Sequence, residues 1–271
     1  MKKLMTLLLS GLLVGTTLLA GCGTSSEPSS SNGDSSVSAD VKAIQDRGIL
    51  KVGVKADVPK FGYKNTSNTY EGFEVDLAKA LAKKILGDES KVEFTSVNAK
   101  TRGPLLDNGS VDMDICTFTI TEERKKSYNF SDSYFTDSIG LLVKKDSGIK
   151  SIKDLDGKKV GVAQSATTKK SFQAEADKQG IKVEFLEFAS YPEIKSALDS
   201  GRVDCFSVDG AILNGYVDDS TVILDDRFSP QEYGVATKLS NTGLAKLVND
   251  EVNALKSSGD LQKMIDKWGI K

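Results

Sequence analysis

The chain has 271 residues, of which 39% are hydrophobic and 27% are charged, and its formal net charge is -2. This is the composition of a globular protein, long enough for one large domain or two small ones. The near-neutral charge gives no reason to expect nucleic-acid binding, and no basic run indicates a membrane-surface helix.

The first 40 residues have a different composition from the rest. Lys2 and Lys3 precede an apolar run over residues 4–20, and Leu-Ala-Gly stands directly before Cys22. This pattern is typical of an export signal, and its end resembles a bacterial lipobox. It predicts a signal peptide over residues 1–21 and a lipid-anchored tether over the Ser-rich residues 22–40, with the lipid on Cys22. A plain signal peptide or an uncleaved anchor is the alternative.

Two further cysteines, Cys116 and Cys205, lie in segments that are predicted to be buried strands. Buried free thiols are the simplest interpretation, since strand cysteines behave as small hydrophobic residues. A disulfide between them stays open for an exported protein.

From residue 41 onwards, strand and helix patterns alternate. Residues 49–54 and 92–96 are predicted strands, 73–86 an amphipathic helix that ends at Gly87, and 101–108 a short helix that ends at Gly109. Near the end of the chain, residues 244–255 and 261–268 are predicted helices. Strands that alternate with helices indicate parallel sheets with crossover helices.

The two halves of the chain share a pattern. Residues 106–112 (LDNGSVD) are matched by 198–204 (LDSGRVD), and 52–54 (VGV) are matched by 160–162 (VGV). The repeat predicts two related α/β lobes with a cleft where strand carboxyl ends face one another.

Residues 111–124 are a candidate part of that cleft. Val111, Met113 and Ile115 alternate as in a strand, and Thr119 with Glu122 fits a capping box at the start of a helix. Thr121, three residues before Arg124, is a competing N-cap. A strand that leads into a helix N-terminus beside Arg124 is a suitable receptor for a carboxylate. The alternative is an ordinary connection with a solvated arginine.

Several motifs together resemble the family 3 bacterial extracellular solute-binding proteins, the polar-amino-acid receptors of ABC importers. The motifs are residues 52–54 (VGV), 72–78 (GFEVDLA), 109–112 (GSVD), 120–124 (ITEER) and 129–132 (NFSD). Residues 97–109, 163–170 and 206–209 resemble most closely the aspartate/glutamate-binding branch, which includes a surface antigen once described as an adhesin.

The resemblance implies an α/β fold of the two-lobed periplasmic-binding-protein type (type II) with a two-segment hinge. Lobe 1 would comprise residues 41–138 and 235–271, and lobe 2 residues 139–234. It implies that Arg124, with Thr117 and Thr119, binds the ligand α-carboxylate, and that Asp209 binds the α-ammonium. Thr167 and Thr168, which belong to lobe 2, would hydrogen-bond a carboxylate across the cleft. Lys55 and Arg102 would bind the side-chain carboxylate of the ligand.

Charge supports the acidic branch independently. Lys55, Arg102 and Arg124 against Asp209 leave this set net positive, which disfavours a basic ligand in a desolvated cleft. Val58 and Ala99 align where the basic-amino-acid branch has stacking aromatics, so a cationic ligand side chain would lose those contacts. Aspartate or glutamate is therefore the expected ligand, with glutamine, cystine or another polar amino acid as the alternative.

No enzyme motif is found in the sequence. The chain has no histidine, no Walker A loop and no nucleophile elbow, so the ATPase of an importer would be a separate chain. We expect a binding protein without cofactor or metal. It would be a monomer that delivers its ligand to a membrane permease from the extracytoplasmic face. A dehydratase on the same fold, or a surface adhesin, are the alternatives of another class.

Overall fold

The computed structural model describes residues 37–270. The predicted signal peptide, Cys22 and residues 22–36 of the predicted tether lie outside the described residues. The first described helix begins at Ala39, two residues before the predicted start of lobe 1. Within residues 37–270, none of the helices is long and apolar enough to cross a membrane.

Helices and strands alternate through most of the described chain. The helices are α1 Ala39–Arg47, α2 Phe73–Leu86, α3 Arg102–Asp107, α4 Thr168–Gln179, α5 Tyr191–Asp199, α6 Gly210–Leu213, α7 Thr242–Ser258 and α8 Asp260–Lys267. The strands are β1 Leu50–Val54, β2 Asp57–Val58, β3 Gly62–Lys64, β4 Tyr70–Glu71, β5 Val92–Ser96, β6 Met113–Ile115, β7 Tyr128–Phe130, β8 Phe135–Lys144, β9 Lys159–Ala163, β10 Glu184–Phe188, β11 Cys205–Asp209, β12 Thr221–Ile223, β13 Phe228–Tyr233 and β14 Ala236–Lys238. Short 3-10 helices cover Arg124–Lys126 and Ile152–Leu155.

Two sheets form the two lobes of an α/β fold. The sheet of lobe 1 has the order β5-β1-β6-β14-β7, and the sheet of lobe 2 has the order β10-β9-β11-β8-β12, with β13 also paired to β8. In each sheet three neighbouring strands are parallel, β5-β1-β6 and β10-β9-β11. The remaining strands pair antiparallel, so each sheet is mixed and not mainly parallel as the sequence predicts. The two-lobed α/β architecture is the predicted type II fold.

The sequence repeat has the same structure in both lobes. The Asp112 carboxylate accepts a hydrogen bond from the backbone of Lys51 at 2.8 Å, and Asp204 accepts one from Lys159 at 2.8 Å. In each lobe, the aspartate stands just before one parallel strand (β6 or β11) and caps the start of the neighbouring parallel strand (β1 or β9). Two chain segments with this shared arrangement confirm the predicted relation between the halves.

The glycine of each repeated VGV strand is required by close packing. A Cβ on Gly53 would lie 2.0 Å from Oδ1 of Asp114, and one on Gly161 would lie 2.6 Å from a methyl carbon of Ile194. Both distances are far below van der Waals contact, so any side chain here would displace the neighbouring residue.

The chain crosses between the lobes twice, and the two crossings are bonded to each other. Backbone hydrogen bonds join Ser131 to Val235 and Tyr134 to Tyr233, each at 2.9 Å. The predicted boundaries at residues 138/139 and 234/235 stay a prediction. The first falls inside β8, which begins at Phe135 and lies wholly in the lobe 2 sheet.

The predicted capping box after β6 is wrong, and the helix that follows is a single 3-10 turn over Arg124–Lys126. No capping box forms between Thr119 and Glu122, because the Thr119 hydroxyl donates to Gln231 and Glu122 pairs with Lys125. Only a 3-10 turn follows, and the Thr121 hydroxyl accepts from the Arg124 backbone at 3.1 Å. The stretch therefore presents backbone carbonyls and side chains, not a helix N-terminus, to the cleft.

Cys116 and Cys205 are both buried and unbonded. Cys205 lies in β11, and Cys116 directly follows β6. The interpretation as buried free thiols holds for these two residues.

Candidate functional site

The candidate residues come from the carboxyl ends of parallel strands in both lobes. Lys55 follows β1 and Thr117 lies two residues after β6, while Thr167 lies in the turn after β9 and Asp209 ends β11. Strand carboxyl ends that face one another are the usual place for a ligand in α/β folds. The fold thus brings the predicted residues of both lobes to one cleft.

Arg124 connects the two lobes. Its Nη1 donates to the carbonyl of Thr119 at 2.7 Å, and its Nη2 donates to the carbonyl of Ser165 in lobe 2 at 3.2 Å. Its guanidinium carbon lies 4.8 Å from the ring centroid of Phe118. Two of the five N–H groups of a guanidinium are thereby used, which leaves others for a carboxylate.

Arg102 lies buried on the same aromatic ring. Its guanidinium carbon is 3.8 Å from the Phe118 centroid, and its Nη1 donates to the carbonyls of Cys116 and Thr117, each at 3.1 Å. Its Nε is buried without a partner among the described residues. Phe118 is thus both a core residue and the support on which two guanidinium groups rest.

Lys55 is 1% exposed and forms no ion pair with any described residue. Its Nζ lies 4.7 Å from the ring centroid of Tyr191, at the start of α5. Burial lowers the pKa of Lys55, and the nearby Asp57 opposes this shift. Tyr191 of lobe 2 therefore packs against Lys55 of lobe 1.

Asp57 was not predicted as a site residue and lies in the same corner. Its Oδ2 accepts from the backbone of Tyr191 at 3.4 Å, and its backbone carbonyl accepts from the hydroxyl of Tyr216. Its Oδ1 is buried without a partner among the described residues. These bonds join β2 of lobe 1 to the start of α5 and to the turn after α6 in lobe 2, so the lobes contact each other directly here.

Asp209 is 5% exposed and accepts a hydrogen bond from the hydroxyl of Tyr233. Burial raises the pKa of Asp209 to about 7, although the Tyr233 bond lowers it. A buried carboxyl at this strand end can pair with an ammonium group, which would favour its ionised form.

Gln231, on β13, joins the predicted threonines of the two lobes. Its Oε1 accepts from the hydroxyl of Thr119 at 3.0 Å and from that of Thr167 at 2.7 Å. Thr167 precedes α4 without capping it, and Thr168 is the buried first residue of that helix. Sequence reasoning missed Gln231, because a glutamine on a strand carries no motif.

Two buried carboxyls close to the cations were also missed. Burial raises the pKa of Glu74 to about 7 and that of Asp114 to about 8, while Lys55 and Arg102 lower both. The sequence did carry a signal for Glu74. It lies one helical turn before Leu77 and Ala78, on the apolar stripe of α2, where a charged residue is unusual.

The charge count made from sequence is therefore incomplete. Three cations, Lys55, Arg102 and Arg124, are accompanied by three buried carboxyls, Glu74, Asp114 and Asp209. The set is net positive where those carboxyls are protonated and close to neutral where they ionise. Charge alone no longer selects an anionic ligand at neutral pH.

The model of the bacterial extracellular solute-binding proteins, family 3, matches residues 50–271. This chain belongs to that family. It is a binding protein rather than an enzyme, as the sequence predicts. Within residues 37–270 no cluster of three or more Cys, Asp or Glu side chains is placed to hold a metal ion.

Relatives in the family resemble the chain over most of its length. The ABC transporter glutamine-binding protein GlnH of Bacillus subtilis (strain 168) is 40% identical over 99% of this chain and 97% of its own. The glutamine-binding protein of Geobacillus stearothermophilus is 45% identical over 83% and 88%. A solved structure of an ancestral arginine-binding protein bound to arginine is 39% identical, covers 82% of this chain and 99% of its own, and has a TM-score of 0.74.

Proposed function

We propose that this protein is the substrate-binding component of an ABC importer and that it captures glutamine between its lobes. Family membership and the two glutamine-binding relatives support the transport role and the class of ligand. The α-carboxylate would bind Arg124, assisted by Thr117, Thr119, Thr167 and Thr168. For this, the hydroxyls of Thr117, Thr119 and Thr167 would turn to the ligand from their acceptors on Cys116 and Gln231. Asp209 would bind the α-ammonium, and Lys55 and Arg102 would contact the ligand side chain. Closure of the lobes on the ligand would shift the protein to the form that a permease accepts.

The observation that favours glutamine is that Lys55 and Asp57 lie near each other at Tyr191 without forming an ion pair. Lys55 offers a buried donor, and Oδ1 of Asp57 a buried acceptor without a partner. A carboxamide has both an acceptor and a donor and fits the two groups at once. A side-chain carboxylate would satisfy Lys55 but would place a second negative charge close to Asp57.

Glutamate or aspartate is the second candidate, and one observation favours it. Lys55 has no ion pair, and Nε of Arg102 is buried without a partner. A ligand carboxylate could accept from both cations, and a buried donor left unpaired is costly. This candidate requires Glu74 and Asp114 to be protonated, so it is strongest at low pH.

The variant Lys55→Met tests the choice of ligand. It removes the donor and the charge but keeps the length of the side chain. If glutamine is the ligand, we expect the variant to lose about tenfold in glutamine affinity, the value of one buried hydrogen bond. If glutamate is the ligand, loss of a buried ion pair should cost a hundredfold or more, roughly 3 kcal/mol.

Calorimetric titration of the wild type and of Lys55→Met with glutamine, glutamate and aspartate gives these values. The exposed Lys100→Met is the matched control and should change no affinity. A wild type that binds glutamate more tightly than glutamine at pH 7.5 would reject the glutamine assignment and retain the receptor.

We also propose that the mature protein is a monomer held on the extracytoplasmic face of the cell membrane by a lipid on Cys22. The support is the signal pattern with Leu-Ala-Gly before the cysteine. Several acyl chains at one site anchor a protein firmly. Labelling of cells with radioactive palmitate should mark the wild type and not Cys22→Ser, and an unlabelled wild type would refute the anchor.

A further inference from the structure

Glu74 lies in the first turn of α2 and is fully buried. Its Oε1 accepts from the backbone N–H of Thr117 and from the hydroxyl of Tyr134, each at 2.5 Å. Thr117 lies 43 residues further along the chain, so this carboxyl joins α2 to the segment after β6. A fully buried carboxyl in such contacts requires a structural or functional explanation.

Thr117 has an unusual backbone conformation, with φ of 50°. β-Branched residues rarely adopt this left-handed region and keep it only where the surroundings impose it. The hydrogen bond from the Thr117 N–H to Glu74 holds this peptide in place against α2. The Thr117 hydroxyl donates to the carbonyl of Cys116 at 2.7 Å and adds a local restraint.

The carbonyl groups of Cys116 and Thr117, on either side of the strained residue, orient Arg102. The carbonyls of Cys116 and Thr117 both accept from Nη1 of Arg102 at 3.1 Å, and the next residue, Phe118, supports the guanidinium. A change in the Thr117 peptide would turn both carbonyls away from Arg102. Glu74 and Arg102 are thus connected through one strained residue, although no hydrogen bond or ion pair joins them directly.

We propose that Glu74 is a positioning residue that holds Thr117 in its left-handed conformation and thereby orients Arg102 toward the side chain of the ligand. The inference rests on the proposed function, in which Arg102 contacts that side chain. A purely structural role for Glu74 would stabilise the fold without depending on Arg102. The two roles therefore differ in how variants of Glu74 and Arg102 combine.

A double-mutant cycle with glutamine as the probe separates them. Glu74→Met removes the acceptor at similar size, and we expect it to weaken glutamine binding at least about tenfold, as loss of one charged hydrogen bond would. In the Arg102→Ala background the same change should cost less than about threefold, because the oriented group is gone. Glu74→Gln keeps an oxygen acceptor for Thr117 and should restore most of the affinity. The exposed Glu89→Met serves as the control.

Equal losses from Glu74→Met in both backgrounds would overturn the inference. An Arg102→Ala variant that binds glutamine as the wild type does would instead refute the proposed role of Arg102, so the two failures are distinguishable. If Glu74→Met does not fold, it is combined with Thr117→Gly and compared with Thr117→Gly alone. Glycine adopts positive φ without support, so the loss should fall below about threefold, and a tenfold loss there would also overturn the inference.

Discussion

Replacing Arg124 by alanine is expected to weaken binding of the amino acid ligand by at least about 3 kcal/mol, more than a hundredfold. The change removes the proposed bidentate contact with the α-carboxylate. It also removes the bond to the carbonyl of Ser165, which joins lobe 1 to lobe 2. Burial lowers the pKa of Arg124 to about 9, so the guanidinium remains protonated at neutral pH and available to an anion.

Calorimetry of Arg124→Ala with glutamine and glutamate measures the loss. Arg124→Lys keeps the charge without the planar fork and should give an intermediate affinity. The neighbouring Lys125, which is exposed and pairs with Glu122, provides the control Lys125→Ala, which should change the affinity little. An unchanged affinity in Arg124→Ala would refute its assignment as the carboxylate-binding residue.

Asp209→Asn should cause a loss of similar size and should also abolish a pH effect. Burial raises the pKa of Asp209 to about 7, so at pH 6 most of the ligand-free protein carries a proton there. An α-ammonium group favours the carboxylate, so binding should release that proton. The affinity of the wild type should therefore rise between pH 6 and pH 8.

Proton release is measured by titration at pH 6 in buffers that differ in heat of ionisation. The apparent binding enthalpy of the wild type should follow the buffer, and that of Asp209→Asn should not. The exposed Asp225→Asn is the matched control and should retain both the release and the affinity. Asp209→Asn with wild-type affinity at pH 8 would exclude Asp209 as the partner of the ammonium.

Local patterns in the sequence were sufficient for the frame of the fold. The bounds of α2 follow from its apolar spacing and from Gly87, which adopts φ of 74° at the helix end. The repeated helix, glycine and strand segments have the same capping aspartate in both lobes, Asp112 and Asp204. Such features depend on residues close together in the chain, which is why the sequence alone indicates them.

The parts of the site that the sequence did not indicate depend on contacts between distant segments. The Thr119 hydroxyl is used by Gln231, 112 residues away, and so cannot cap a helix at Glu122. Asp114 alternates with apolar residues of β6 as a solvent-facing residue would, yet α3 and its Arg102 cover it. The charge of the cleft was misjudged for this reason, because Glu74 and Asp114 enter it only in the folded protein.

The cleft between the lobes is proposed to capture one polar amino acid. The most direct test is a thermal-unfolding panel of the purified protein with each of the common amino acids. All are used at one concentration, a hundredfold above the dissociation constant measured for glutamine. Ligand that binds only the folded state should stabilise it by about 2.7 kcal/mol at that excess. We predict a clear rise in melting temperature with glutamine, a smaller one with glutamate or aspartate, and none with arginine. A melting temperature that no amino acid changes would refute the proposal that this protein is an amino acid receptor.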